Sequence, residues 1–325
     1  MRREGLTPNG YRLRLVMSTV SMVWTFLVLG MGVLVVATDS GQACGFDWPY
    51  CQGSLFPNIH DIQQVIEYTH RLLTGLLGFV ILGNALFIFI WRQRPVRLRH
   101  LRFLAVLSVV LLLTQALVGG FNVLLKTPKG FTTLDVMVSS LLWMTVVALW
   151  AKLFVHRSRF LSYASPVPNV LAGDIDQGRE TQSDASLWSP SKLGSVFLIL
   201  LFGDLLLGAF FKHSALAEVL FGLHPERVWL TSIPLGETVY VVHGLWGISL
   251  WLVAMAWRVK SHRSVHQVLH VLLIVLVMEA IVGMGAVVSD LGVWDVALHT
   301  LLATLTLGLS VVAYVFEQTM KGVRA

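Results

Sequence analysis

The sequence predicts an all-α integral membrane protein whose eight transmembrane helices form two pseudo-symmetric four-helix bundles. Three observations predict this fold class: the composition, the length of the apolar blocks, and a weak internal repeat. Of the 325 residues, 55% are hydrophobic and only 13% are charged, which is about half of the charged fraction usual in a soluble domain. The apolar residues form blocks long enough to cross a bilayer, not the spaced stripe of an amphipathic helix.

Eight apolar segments are predicted to be membrane spans. They cover residues 15–37, 67–91, 101–125, 132–154, 193–212, 236–257, 267–288 and 295–317. The first is longer than the core of a cleaved signal peptide, so we expect it to be retained. The polar stretch at 156–192 contains prolines, aspartates and serines and is typical of a flexible linker. We therefore expect an N-terminal half at 1–155, a linker at 156–192 and a C-terminal half at 193–325.

The basic residues indicate the orientation of the chain. An even number of spans puts both termini on one side, and most of the 24 lysines and arginines lie in the tails and loops of that side. Because positive loops stay inside, we expect both termini inside and the loop at 38–66 outside, in a bacterial plasma membrane. The net charge of +6 thus reports topology and does not indicate a nucleic-acid partner.

The internal repeat relates the third span to the seventh. The third contains QALVG at 115–119, and the seventh contains EAIVG at 279–283. His70, near the outer end of the second span, is matched by His243 in the sixth. Two parallel units that each enter from inside would be related by an axis along the membrane normal.

Three histidines are predicted to lie at one depth. His70, His243 and His299 each fall within about seven residues of the outer start of an inward-running span. An ionisable residue inside a span is costly and is a functional candidate. One such histidine could simply bond a neighbouring helix, but three at equivalent places are harder to explain that way. Imidazoles on facing helices can hold heme iron from both sides, so His243 and His299 are predicted to ligate a b-type heme.

The fourth span departs from this pattern, because Ser139 and Ser140 stand where a partner for His70 is expected. The N-terminal half is therefore predicted to hold an open or differently ligated site. Glu67 lies one turn before His70 on the same helical face. It is either a proton-transfer group or a helix-start acid favoured by the helix dipole. Arg71 either pairs a heme propionate or marks the membrane interface.

The two cysteines lie in the predicted outer loop. Cys44 and Cys51 are on the oxidising side, where a disulfide is the expected state. Two interpretations stay open, a staple that holds the loop over the bundle and a reversible dithiol. Neither the zinc and redox CxxC spacing nor the CxxCH of covalent heme attachment occurs.

The chain resembles the heme A synthase family over nearly its whole length, excluding the tails and the linker. The resemblance rests on TDSG at 38–41, Cys44, DWP at 47–49, Cys51, Gly53, Pro57, EYTHR at 67–71, segments 115–120 and 208–214, His243 and His299. It implies heme b held by His243 and His299. It also implies that the N-terminal half receives heme O, with His70 as an iron ligand and Glu67 close to the chemistry. A ring methyl would be oxidised to a formyl group, giving heme A for terminal oxidases.

The family usually has a second histidine on the fourth span, where this chain has Ser139 or Ser140. Either His70 holds the substrate heme, alone or with Ser139, or this member has lost synthase activity or handles heme differently. Heme O synthase, a terminal oxidase assembly factor, a quinone and a second copy of the chain are further expected partners.

Two other functions remain open from the sequence. One is a non-catalytic bis-histidine heme b protein in electron transfer or heme handling. The other is a transporter, for which Asp204 and Glu279 deep in the spans would argue. We interpret these two carboxylates as inter-helix or proton-path groups.

Overall fold

Eight long helices dominate the computed structural model, which describes residues 8–46, 49–90, 98–125, 131–164, 189–213, 233–289 and 291–321. The helices are α1 (Pro8–Ala37), α2 (Ile62–Ile90), α3 (Leu98–Leu124), α4 (Phe131–Ala164), α5 (Pro190–His213), α6 (Ile233–Lys260), α7 (His266–Val288) and α8 (Val293–Lys321). Each is long and apolar enough to span a membrane, and the described ranges contain no strand. The predicted class, an all-α integral membrane protein with eight spans, is confirmed.

The helices are longer than the predicted spans. Helix α1 begins at Pro8 and α4 continues to Ala164, so the first turns of the predicted linker are helical. Hydropathy alone could not show this, because a helix continues into the aqueous phase wherever its backbone stays hydrogen-bonded. The remainder of the linker, 165–188, lies outside the described residues.

The helices pack as two rings of four. Helices α1 to α4 contact one another in the order α1–α2–α3–α4–α1, and α5 to α8 do so in the order α5–α6–α7–α8–α5. We call these rings the first half and the second half. They meet where α4 contacts α8, α1 contacts α8, and α5 contacts α4. This pattern fits the predicted pair of bundles, and the symmetry between them stays a prediction.

Tryptophans set close against glycines fix the packing both where the halves meet and within the second half. Trp143 of α4 donates from Nε1 to the carbonyl oxygen of Thr304 on α8 at 2.9 Å. A Cβ added at Gly308 would lie 2.8 Å from the Trp143 ring. Trp257 of α6 has the same relation to Gly194 of α5, at 2.7 Å. Because both rings are nearly fully buried, these contacts define how deeply neighbouring helices interpenetrate.

The predicted outer loop lies as a folded cap over the first half. Its cysteines form the predicted disulfide, and they are only 0% and 2% exposed. Asp61 caps α2, since its Oδ1 accepts from the backbone of Gln63 at 3.1 Å. Gln42 donates to the carbonyl of Val123 at the end of α3. We call residues 38–61 the cysteine loop and the bundle end that carries it the loop end. The assignment of this end to the outer side stays a prediction.

Candidate functional site: buried histidines at the loop end

The three predicted histidines lie in equivalent surroundings. Each sits near the start of a helix that runs away from the loop end, and each packs against a glycine of the preceding helix. A Cβ at that glycine would lie 3.1–3.3 Å from the histidine Cε1, so only glycine leaves full room for the ring. The pairs are His70–Gly32, His243–Gly208 and His299–Gly283.

The first and second halves present their histidines at the same end of the bundle. Leu301, two residues beyond His299 on α8, would lie 3.6 Å from a Cβ at Gly30 of α1. Gly30 in turn is two residues before Gly32, which packs against His70. The common depth that the sequence predicts therefore holds across the interface between the halves.

In the second half both imidazoles have a hydrogen-bond partner at Nδ1. His243 Nδ1 lies 2.8 Å from Asp204 Oδ1, and His299 Nδ1 lies 3.1 Å from the carbonyl oxygen of Glu279. A carbonyl only accepts, so the proton of His299 is on Nδ1. In both rings Nε2 is thereby left as the basic nitrogen. Metal-binding histidines characteristically have their second nitrogen held in this way.

The two carboxylates of the second half thus acquire particular neighbours. The Asp204 carboxylate lies close enough to both histidines to interact with them electrostatically, and the Glu279 carboxylate lies close enough to His243. Glu279 also accepts from Thr306 Oγ1 at 3.2 Å through its own side chain. The sequence interpretation as inter-helix groups missed that Asp204 orients His243. In the sequence, the position of Asp204 one turn before Gly208 was the feature that could have indicated its contact with His243.

The first half lacks such a partner for its histidine. His70 Nδ1 is buried and has no hydrogen-bond partner among the described residues. One turn before Gly32 stands Val28, at the place that Asp204 holds one turn before Gly208. Val28 is buried in an apolar cluster. His70 therefore differs from His243 in its electronic environment although both pack against glycine.

Glu67 and Arg71 join α2 to the cysteine loop. Glu67 is 3% exposed, and its Oε2 accepts from the backbone N–H of Cys44 at 2.6 Å. Its Oε1 forms an ion pair with Arg71, and Arg71 also donates to the carbonyl of Gly45 at 2.7 Å. The carboxylate next to His70 is therefore an anchor of the loop, whether or not it also transfers protons.

The start of α4 contains a carboxylate that sequence reasoning did not consider. Ser139 Oγ donates to the carbonyl of Val136 in its own helix, and Ser140 is buried. Asp135, one turn earlier than Ser139, instead reaches across to α3, where Gln115 Nε2 donates to its Oδ1 at 2.8 Å. In the sequence, Asp135 could have been found by counting residues from the QALVG segment at 115–119 instead of from the start of the fourth span.

The three histidines lie singly, each on a different helix. In the part of the chain that the structure describes, no three histidine, cysteine, aspartate or glutamate side chains converge as a chelating group. A site built from isolated imidazoles suits a metal that brings most of its own ligands, as an iron porphyrin does.

Fold and site together define a class, that of polytopic membrane proteins with single imidazoles aligned at one depth. Residues 15–312 match the COX15-CtaA family, described as cytochrome oxidase assembly protein. The chain belongs to this family.

Individual relatives agree with this assignment. The chain is 25% identical to the heme A synthase of Halalkalibacterium halodurans over 89% of its own length and 92% of the relative. It is 34% identical to the heme A synthase of Bacillus licheniformis over 44% and 45% of the two chains. For the heme A synthase of Lysinibacillus sphaericus the identity is 40%, over 34% of each chain.

Proposed function

We propose that this protein is a heme A synthase, an integral membrane oxidoreductase that converts a ring methyl of heme O to a formyl group. The observation that carries the proposal is the contrast between the halves. The second half holds two imidazoles with Nδ1 engaged. The first half holds one imidazole beside a buried Glu67, under a disulfide-closed loop. The names of the relatives support the same activity.

His243 and His299 are the proposed ligands of a resident heme b. Their Nε2 atoms are unengaged while Nδ1 is fixed, and a glycine facing each ring keeps the imidazoles close to the neighbouring helix. Both features suit the two histidines to hold heme iron. When bound, this heme supplies one-electron redox chemistry. The contact with the Asp204 carboxylate would fix the orientation of the His243 ring.

The first half is the proposed substrate site. His70 would hold the iron of heme O. Arg71 already bonds to Glu67 and to Gly45 of the cysteine loop, so it could bind a heme propionate only through its remaining N–H groups. Glu67, one turn from His70, is the proposed acceptor of protons from the reacting methyl group. With water as oxygen source, the change from methyl to formyl releases four electrons and four protons. Two molecules of a quinone-type acceptor would balance it.

The assignment of sides and partners belongs to the same proposal. The cysteine loop would face the outside of a bacterial plasma membrane, with both termini inside. Heme O synthase, a terminal oxidase assembly factor and a second copy of the chain remain proposed partners. A purely electron-transferring heme b protein would require only the second half and would leave His70 of the first half without a heme to bind.

Production of heme A in a host that lacks it tests the activity. The full chain is expressed together with a heme O synthase, and the extracted pigments are separated. Heme A is the expected product. A membrane extract that contains only heme O, with the protein folded and carrying its b-type heme, would exclude synthase activity.

Replacing Asp204 with asparagine tests how the second half holds its heme. The amide can still accept from His243 Nδ1 but carries no charge, so we expect a heme affinity about 10–100-fold lower and a higher midpoint potential. Glu279→Gln is the comparison variant. It also removes a charge near His243, but that carboxylate bonds to Thr306 and to neither imidazole, so its loss of affinity is expected to be smaller. Heme titration and potentiometry of both purified variants measure the difference. Equal affinities in Asp204→Asn and the unmodified protein would remove Asp204 from the heme site.

A further inference from the structure

The α3–α4 hairpin of the first half repeats the register of the α7–α8 hairpin of the second. Gly119 and Gly283 are followed by the same number of residues to the ends of their helices, at Leu124 and Val288. Asp135 lies 20 residues after Gln115, and His299 lies 20 residues after Glu279. Counted from the preceding helix, Asp135 thus holds the place of His299.

Each hairpin is joined by a side-chain contact, although the partner atoms differ. Gln115 Nε2 donates to the Asp135 carboxylate between α3 and α4 at 2.8 Å, whereas His299 Nδ1 bonds to the backbone carbonyl of Glu279 between α7 and α8 at 3.1 Å. The space in front of the glycines differs, because a Cβ at Gly283 would meet the His299 ring whereas one at Gly119 would meet nothing within 4 Å. The shorter aspartate leaves open the volume that an imidazole fills in the second half.

Unpaired polar atoms occur at the same end of the first half. Gln115 Oε1, Asn122 Oδ1 and Thr133 Oγ1 are buried at the loop end of α3 and α4, and none has a hydrogen-bond partner among the described residues. His70 Nδ1 is in the same state. Buried polar groups are normally satisfied, so several unpaired ones at one end of one half indicate a site whose ligand brings polar groups or water.

We propose that Asp135, held by Gln115, occupies the fourth axial-ligand position of the protein. The iron of the substrate heme would then have His70 as its single imidazole and a carboxylate facing it from α4. The inference rests on the proposed function, since it concerns the substrate half of a heme A synthase. It replaces Ser139 and Ser140 as the residues at this position, because Ser139 bonds within its own helix.

This arrangement has a functional reason. Two imidazoles with engaged Nδ1 atoms hold the resident heme firmly in the second half. One imidazole without an Nδ1 acceptor, opposed by an oxygen ligand, binds iron more weakly and leaves it high-spin, because axial-ligand identity sets these properties. A molecule that must enter as substrate and leave as product requires such exchangeable binding.

The test converts the carboxylate into the imidazole that the other half carries. The purified full chain, with its b-type heme in place, is titrated with hemin as probe and followed by electron paramagnetic resonance and absorption spectra. In the unmodified protein the added hemin is expected to be high-spin. In Asp135→His the same hemin is expected to become low-spin with a bis-imidazole spectrum. Ser139→His is the matched control, one turn away on the same helix, and its hemin is expected to stay high-spin.

Several results would overturn the proposal. They are a high-spin signal that persists in Asp135→His with hemin bound, conversion by Ser139→His instead, or bis-imidazole hemin already in the unmodified protein. If Asp135→His does not fold, Asp135→Ala is expected to change the high-spin spectrum and weaken hemin binding, and an unchanged titration would refute the placement. Failure of the proposed function is distinguishable, because it would appear as absent heme A while Asp135→His still converts the hemin.

Discussion

Replacing His299 with alanine is expected to strip the b-type heme from the purified protein. The substitution removes one of two axial ligands and leaves the carbonyl of Glu279 without the donor that it now has at 3.1 Å. Loss of a mere hydrogen-bond partner behind a ligand costs about 10–100-fold in affinity, so loss of the ligand itself should cost more. The reduced-minus-oxidised spectrum and the heme content per polypeptide measure the effect.

A histidine at the other end of the bundle provides the control. His266 begins α7 and bonds through Nε2 to the carbonyl of Ser261 in the adjoining turn, far along the helix from Gly283. His266→Ala is expected to keep the full heme content. His243→Ala is expected to behave like His299→Ala. A bis-histidine spectrum that survives in either ligand variant would contradict the assignment of this pair.

Replacing Glu67 with glutamine is expected to lower heme A production by about 10²–10⁴-fold, the range for loss of a positioned proton acceptor. The heme b content should not change, because Glu67 belongs to the first half and lies beside His70, not beside His243 or His299. Pigment analysis of cells that also produce heme O gives the rate, and absorption spectra of the purified variant give the heme b content.

The loop contacts of Glu67 require a second variant. Both variants lose the ion pair to Arg71, but the glutamine amide oxygen can still accept from the Cys44 N–H, whereas Glu67→Ala removes that contact as well. Accessibility of the cysteines to reduction and thiol labelling reports whether the loop has loosened. Unchanged heme A output in Glu67→Gln, with loss only in Glu67→Ala and a loosened loop, would make Glu67 a loop anchor alone.

The fold was predictable because the hydrophobicity of the membrane-spanning segments dominates it. A bilayer requires about 20 apolar residues per helix, so the eight spans could be read from composition along the chain. The depth of His70, His243 and His299 followed from counting residues from the start of each span. Helix ends were less predictable, as α4 shows by continuing to Ala164.

The partners of these histidines could not be predicted, because they depend on how neighbouring helices are rotated about their axes. His243 meets a carboxylate, His299 meets a backbone carbonyl, and His70 Nδ1 meets no hydrogen-bond partner among the described residues. Asp135 was missed for a related reason. Counting from the start of α4 leads to Ser139, whereas counting 20 residues from Gln115, the spacing that separates Glu279 from His299, leads to Asp135.

The conformation of the cysteine loop also lay beyond the sequence pattern. The contact of Glu67 with the Cys44 N–H depends on how the chain turns between α1 and α2. Gly45 and Gly53 adopt φ of +69° and +79°, a region that favours glycine. The glycines in the sequence indicate that turns occur in this loop, but they do not predict the direction in which each backbone N–H points.

Mass spectrometry of the hemes extracted from purified His70→Ala, beside those from the unmodified protein, tests the central claim most directly. Both proteins are isolated from the same cells that produce heme O. The unmodified protein is expected to yield heme b together with heme O or heme A, and His70→Ala is expected to yield heme b alone. An identical set of hemes from both proteins, or loss of heme b from His70→Ala, would contradict a resident heme in one half and a substrate heme in the other.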